Sequence, residues 1–121
     1  MAALNSKKLE TNQKTTNNQE KIKILILGNS LTAGYGLEDI NDSFPIRLEK
    51  ELNRLNHKVK IINAGISGDT TAGGLARLDW SLQDEPDGVI IELGGNDGLR
   101  AINPEITYKN LKLILTKLNK K

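Results

Sequence analysis

Apolar and polar positions along this chain alternate between two periods. "IKILILG" (Ile22–Gly28), "KVKIINAG" (Lys58–Gly65) and "GVIIELGG" (Gly88–Gly95) are short apolar runs closed by glycine. Runs of this kind mark strands covered on both faces, as in a parallel sheet. Between them the spacing lengthens to that of a helix. In Ser43–Asn56 the residues Phe44, Leu48, Leu52 and Leu55 share one stripe, while Arg47, Glu51 and Arg54 lie off it. Ser43 is placed to cap this helix and Pro45 falls in its first turn. In Thr70–Gln83 the apolar face is Leu75, Leu78 and Leu82. The Gly73–Gly74 pair weakens that helix by about 1 kcal/mol per glycine relative to alanine, which argues for a close approach of the backbone to a neighbour. A last helix opens at Asn103–Pro104–Glu105, with Asn103 as cap, and its spacing predicts a buried stripe of Ile106, Leu111, Ile114, Leu115 and Leu118.

The order is therefore β-α-β-α-β-α. Such alternation implies a three-layer α/β fold with a parallel sheet and right-handed crossovers. In these sheets ligands bind beyond the carboxyl ends of the strands. All three strands run into glycine-rich loops, Gly28–Gly36, Gly65–Asp69 and Gly94–Gly98, which carry Asn29, Ser30, Ser67, Asp69, Asn96 and Asp97. The topology directs these polar residues to one rim.

Composition narrows the picture. The first twenty residues, "MAALNSKKLETNQKTTNNQE", are polar with no apolar face, and all 11 glycines lie between Gly28 and Gly98. We expect a disordered tail over 1–20 and a single modest domain over 21–121. With 17 basic and 15 acidic residues and only four aromatics, the chain lacks the basic, aromatic-lined stripe that nucleic-acid binding uses. It has no cysteine, which excludes disulfides, thiolate catalysis and zinc–cysteine sites. Neither a cofactor nor a metal is implied. No stretch approaches the ~18 apolar residues of a membrane span, and Lys7 and Lys8 are followed by no apolar core of a signal peptide. Read by itself, the chain is expected in the cytoplasm.

A serine that attacks a carbonyl needs exposure, a base and donors for the developing oxyanion. Ser30 either caps the turn after the first strand or presents its hydroxyl there. Its surroundings are not the G-x-S-x-G elbow, because Thr32 stands where the last glycine would be. Nor does "GNSLTAGYG" follow either phosphate-loop pattern. Gly68 offers a backbone N–H and Asn96 an amide, although each also suits a residue that only shapes its own loop. The case for a shared site is that three separate strand ends supply compatible groups.

"GNSLTAGYG", "NAGISGDTTAGGLARL" and "ELGGNDGLR" resemble the SGNH (GDSL-type) hydrolases over about Ile22 to Leu118. Within them the chain is most similar to the bacterial multifunctional esterases, which act as thioesterase, arylesterase and lysophospholipase. The resemblance implies a flavodoxin-like, five-stranded parallel sheet, of which residues 21–121 supply the first three β-α units. It implies hydrolysis of a small carboxylic ester or thioester without a cofactor. Ser30 would be the nucleophile, and the Ser30 N–H, the Gly68 N–H and the Asn96 side chain the oxyanion hole, with Asn29, Gly94 and Asp97 as motif neighbours. Family members are often periplasmic or secreted.

Two features depart from the family. Asn29 replaces the aspartate of Gly-Asp-Ser-Leu, and the C-terminal Asp-x-x-His that carries the family's base occurs nowhere in the chain. The one histidine, His57, lies between the first helix and the second strand, at the amino end of the sheet. Three readings stay open: an esterase shortened by a frameshift or stop codon and severely impaired, a split enzyme completed by a second polypeptide, and a non-catalytic acyl-binding module. Without the family's last strands the third strand is an edge that carries only Glu92, which invites self-association or strand addition, and it is this edge that the split-enzyme reading needs.

Overall fold

The structure, a computed structural model, describes residues 21–120, so the expected polar tail over 1–20 lies outside the described residues. Strand β1 (Ile22–Gly28) is the middle of a three-stranded parallel sheet, with β2 (Val59–Gly65) on one side and β3 (Gly88–Glu92) on the other. Flanked on both edges and both faces, β1 buries Leu25, Ile26 and Leu27 completely, as its continuous apolar run requires. The register aligns Gly28 with Gly65 on one side and with Glu92 on the other. The three strands thus end at the same level, and the loops that follow open onto one rim.

The helices are α1 (Ser30–Ala33), α2 (Phe44–Arg54), α3 (Thr71–Ala76), α4 (Leu78–Ser81), α5 (Gly95–Leu99) and α6 (Pro104–Asn119), with a 3-10 turn at Ile40–Asp42. The β1–β2 and β2–β3 crossovers run in opposite directions along the sheet, so right-handed connections put α2 on one face and α3 and α4 on the other. Leu25 and Leu27 of β1 pack there with Leu78, Leu82, Ile114 and Leu118 to form the main core. This is the expected three-layer α/β/α arrangement. Among the described residues no helix is long and apolar enough to cross a membrane.

The two sheet edges differ. On β2 the outward Ile61 N–H donates to the Glu49 carboxylate at 3.1 Å and the Val59 carbonyl accepts from Asn53 Nδ2 at 2.9 Å, so α2 covers that edge. Among the described residues β3 pairs only with β1, and its Ile90 is 38% exposed.

Four local expectations are corrected. The helix read over Thr70–Gln83 is broken at Arg77, whose backbone leaves helical geometry (φ −101°, ψ 7°) to end α3 and begin α4. The two glycines of α3 are there for contacts. A Cβ at Gly73 would collide with the Asp69 carboxylate, and one at Gly74 with the Leu93 side chain. On α6, Ile114 and Leu118 join the core cluster of Leu25, Leu27, Leu78 and Leu82, whereas Ile106 and Leu115 lie outside that cluster and are half-exposed. Phe44 and Leu55, at the two ends of α2, are likewise exposed. Ser43 sits at the cap position of α2 but makes no capping bond, and its buried Oγ has no hydrogen-bond partner among the described residues. Asn103 does cap α6, accepting the Glu105 N–H at 3.0 Å.

Candidate active site

The rim is built from the residues that follow each strand. After β1, Asn29 is the cap of α1, its Oδ1 accepting the Leu31 N–H at 3.1 Å. The capping role that the sequence offered to Ser30 is therefore taken by its neighbour. Ser30 is the first residue of α1, half-buried, and its hydroxyl has no hydrogen-bond partner among the described residues. The cap uses a single side-chain oxygen, so asparagine performs it as well as the family's aspartate would. The loop is anchored from β3, where Glu92 Oε1 accepts both the Asn29 N–H at 3.1 Å and the Thr32 hydroxyl at 2.9 Å.

After β2, the Asp69 N–H closes a tight turn on the Ile66 carbonyl at 3.1 Å, with Gly68 in the left-handed region at φ +81°. A side chain there would be strained, which explains the glycine. The Gly68 carbonyl accepts from Arg100 Nη2 at 2.9 Å, and the Ile66 N–H reaches back to the Gly28 carbonyl at 3.0 Å.

After β3, Gly94 (φ 125°) precedes α5, and Asn96 donates one Nδ2 hydrogen to the Asp69 carbonyl at 2.8 Å. The amide keeps a second N–H for another acceptor. The Asp69 carboxylate is paired with Arg77 (Nε–Oδ2 2.7 Å), and Arg77 Nη2 also donates to the Gly28 carbonyl at 3.0 Å. Hydrogen bonds thus connect the loops carrying Ser30, Gly68 and Asn96.

Asp97 has a different part. Its side chain is buried and accepts the Thr71 N–H (2.8 Å), the Thr71 hydroxyl (2.5 Å) and the Thr107 hydroxyl (2.8 Å), while Asn110 Nδ2 donates to Thr71 Oγ1 at 3.1 Å. Burial pushes this carboxyl up, but the Thr71 and Thr107 hydrogen bonds outweigh it and hold its pKa below the usual carboxylate value. Asp97 locks the start of α3 to α6. His57 is exposed in the turn before β2, beside Lys58, whose carbonyl accepts the Ile22 N–H at the amino end of the sheet. It stands at the opposite end of the strands from Ser30.

Sequence reasoning missed three residues of this assembly. Arg77 was covered by a continuous helix pattern, and the signal that could have found it was Gly73 one turn earlier. Glu92 looks in the sequence like an edge charge, yet its carboxylate accepts two hydrogen bonds from the Ser30 loop. Thr71 carries no sequence signal of its bonds to Asp97.

The model of the GDSL-like lipase/acylhydrolase family matches residues 26–121. The chain is 46% identical over 99 residues to an arylesterase of Vibrio mimicus, covering 81% of this chain and 49% of that protein. It is 45% identical over 93 residues to thioesterase 1/protease 1/lysophospholipase L1 of Escherichia coli, covering 76% and 43%. A solved structure of AlinE4, an SGNH-hydrolase family esterase, superposes with a TM-score of 0.79 at 46% identity over 86% of this chain and 56% of that one. The chain spans about half the length of these relatives. On the family match, these identities and the shared fold, the chain belongs to the GDSL-like lipase/acylhydrolase family, the SGNH hydrolases.

Proposed function

We propose that Ser30, Gly68 and Asn96 form the nucleophile and oxyanion side of a carboxylic ester or thioester hydrolase site. The base of that site comes from outside residues 1–121. The observation that carries the reading is the Ser30 hydroxyl, left without a partner among the described residues at the end of β1 because Asn29 has taken over the cap. Leu31 and Ile66, both largely exposed beside Ser30 and Gly68, offer an apolar surface for an acyl or aryl group. The names of the relatives, arylesterase and thioesterase, fit the same substrate classes.

In this reading Ser30 Oγ attacks the carbonyl carbon while its proton passes to the base. The oxygen of the tetrahedral intermediate takes hydrogen bonds from the Ser30 and Gly68 N–H groups and the second Nδ2 hydrogen of Asn96. Collapse expels the alcohol, phenol or thiol, protonated by the same base, and leaves an acyl ester on Ser30 that water hydrolyses. A neutral-pH serine is protonated, so a base within about 2.6–3.2 Å is required. His57 stands at the wrong end of the sheet, and Asp69, Glu92 and Asp97 are committed to Arg77, the Ser30 loop and the threonines. The family pattern assigns the base to a histidine of an Asp-x-x-His segment.

Labelling with a p-nitrophenyl alkylphosphonate tests this reading. Mass spectrometry should find the phosphonyl group on Ser30 when a polypeptide carrying the family's last strands and Asp-x-x-His is present, and almost none without it. Label on another residue would overturn the assignment.

A further inference from the structure

We propose that Arg77 is the positioning residue of this site, setting the nucleophile loop against the oxyanion donors through Asp69. The inference rests on the hydrolase reading of the rim. One guanidinium spans two loops, with Nε 2.7 Å from Asp69 Oδ2 and Nη2 3.0 Å from the Gly28 carbonyl. Gly28 ends the strand that delivers Ser30, and Asp69 directly follows Gly68. The Asp69 carbonyl in turn receives the Asn96 Nδ2 hydrogen at 2.8 Å. Three hydrogen bonds therefore fix the three strand ends relative to one another.

The backbone is shaped around this contact. The helix is interrupted at Arg77 itself, and Gly73 leaves room for the Asp69 carboxylate where any Cβ would collide. The paired side chains are only 16% and 12% exposed, so solvent screens the pair less than it would a surface salt bridge. A planar fork fixes the angle between its two acceptors, which a lysine ammonium on a flexible stem does not. Asp69 alone stands between Arg77 and the oxyanion donors Gly68 and Asn96, and a small displacement of such donors is expensive in rate.

Arg77→Lys keeps the charge and removes the fork. In the 121-residue chain, NMR relaxation should show the order parameters of the Asn96 side-chain amide and the Gly68 N–H falling from about 0.85 to below about 0.6. The Ile26 and Leu27 amides should stay rigid. Rigid Asn96 and Gly68 groups in the variant would overturn the proposal. Should Arg77→Lys fail to fold, Asp69→Asn, which keeps the shape and a neutral acceptor, carries the same measurement. With the Asp-x-x-His polypeptide added, Arg77→Lys should lower kcat about 10–100-fold and leave KM within about twofold. An unchanged kcat, or a loss carried by KM alone, would contradict positioning. If the wild-type pair turns over equally with Ser30→Ala, the nucleophile reading fails instead, and the NMR result still decides the role of Arg77.

Discussion

Glu92 Oε1 accepts two hydrogen bonds from the Ser30 loop, from the Asn29 N–H at 3.1 Å and from the Thr32 hydroxyl at 2.9 Å. A carboxylate at the end of β3 thereby holds the loop at the end of β1. Glu92→Ala should leave both donors short of a partner and lower stability by about 2–3 kcal/mol. Glu92→Gln retains an acceptor at the same position and should cost about 1 kcal/mol or less. Urea midpoints at constant m-value test the pair. Equal effects of alanine and glutamine would refute the hydrogen-bond account.

The cap on α1 should tolerate the family's residue. Asn29→Asp keeps the oxygen that accepts the Leu31 N–H, so its stability should stay within about 0.5 kcal/mol. Asn29→Ala removes it and should lose about 0.5–2 kcal/mol. A variant with alanine as stable as the native protein would show that the cap contributes nothing.

Acid should act through Asp97. Its pKa is depressed in the folded chain, so its stabilisation is present above the unfolded value of about 4 and is lost as pH falls through the folded value. Thr71→Val with Thr107→Val removes both hydroxyl donors and leaves burial, which raises the carboxyl, opposed only by backbone N–H donors such as that of Thr71. The double variant should be less stable at pH 7 and lose less stability on acidification from pH 5 to pH 3. Thermal unfolding across that range checks the sign. A variant with the native acid slope would put the dependence elsewhere.

The edge of β3, which pairs only with β1 among the described residues, should make the chain self-associate. Light scattering should rise with concentration, and Ile90→Lys, which places a charge on that edge, should suppress the rise. A monomer at every concentration would contradict this.

Fold and site were legible to different degrees. Strand β1 could be read from sequence because a central parallel strand needs apolar residues on both faces, and Leu25, Ile26 and Leu27 satisfy that need. The stripe of α6 was read too wide, since periodicity records apolar positions but not how many neighbours cover them. Ile114 and Leu118 belong to the core cluster, and the half-exposed Ile106 and Leu115 do not. The break at Arg77 is hidden in the sequence because its side chain answers to acceptors outside its own helix, Asp69 and the distant Gly28. Whether Ser30 caps or stands free was undecidable in the same way, because asparagine and serine in succession are both good caps. Only the geometry assigns the bond to Asn29.

The central claim is that Ser30 is a nucleophile whose base lies outside residues 1–121. Hydrolysis of p-nitrophenyl acetate, measured with and without a polypeptide carrying the family's C-terminal strands and Asp-x-x-His, tests it most directly. The chain alone should turn over marginally, and Ser30→Ala and His57→Ala should leave that residual rate unchanged. Addition of the polypeptide should raise the rate by several orders of magnitude, and Ser30→Ala should abolish the gain. Ready turnover by the chain alone that disappears in Ser30→Ala would contradict the account, because a base would then lie within these 121 residues.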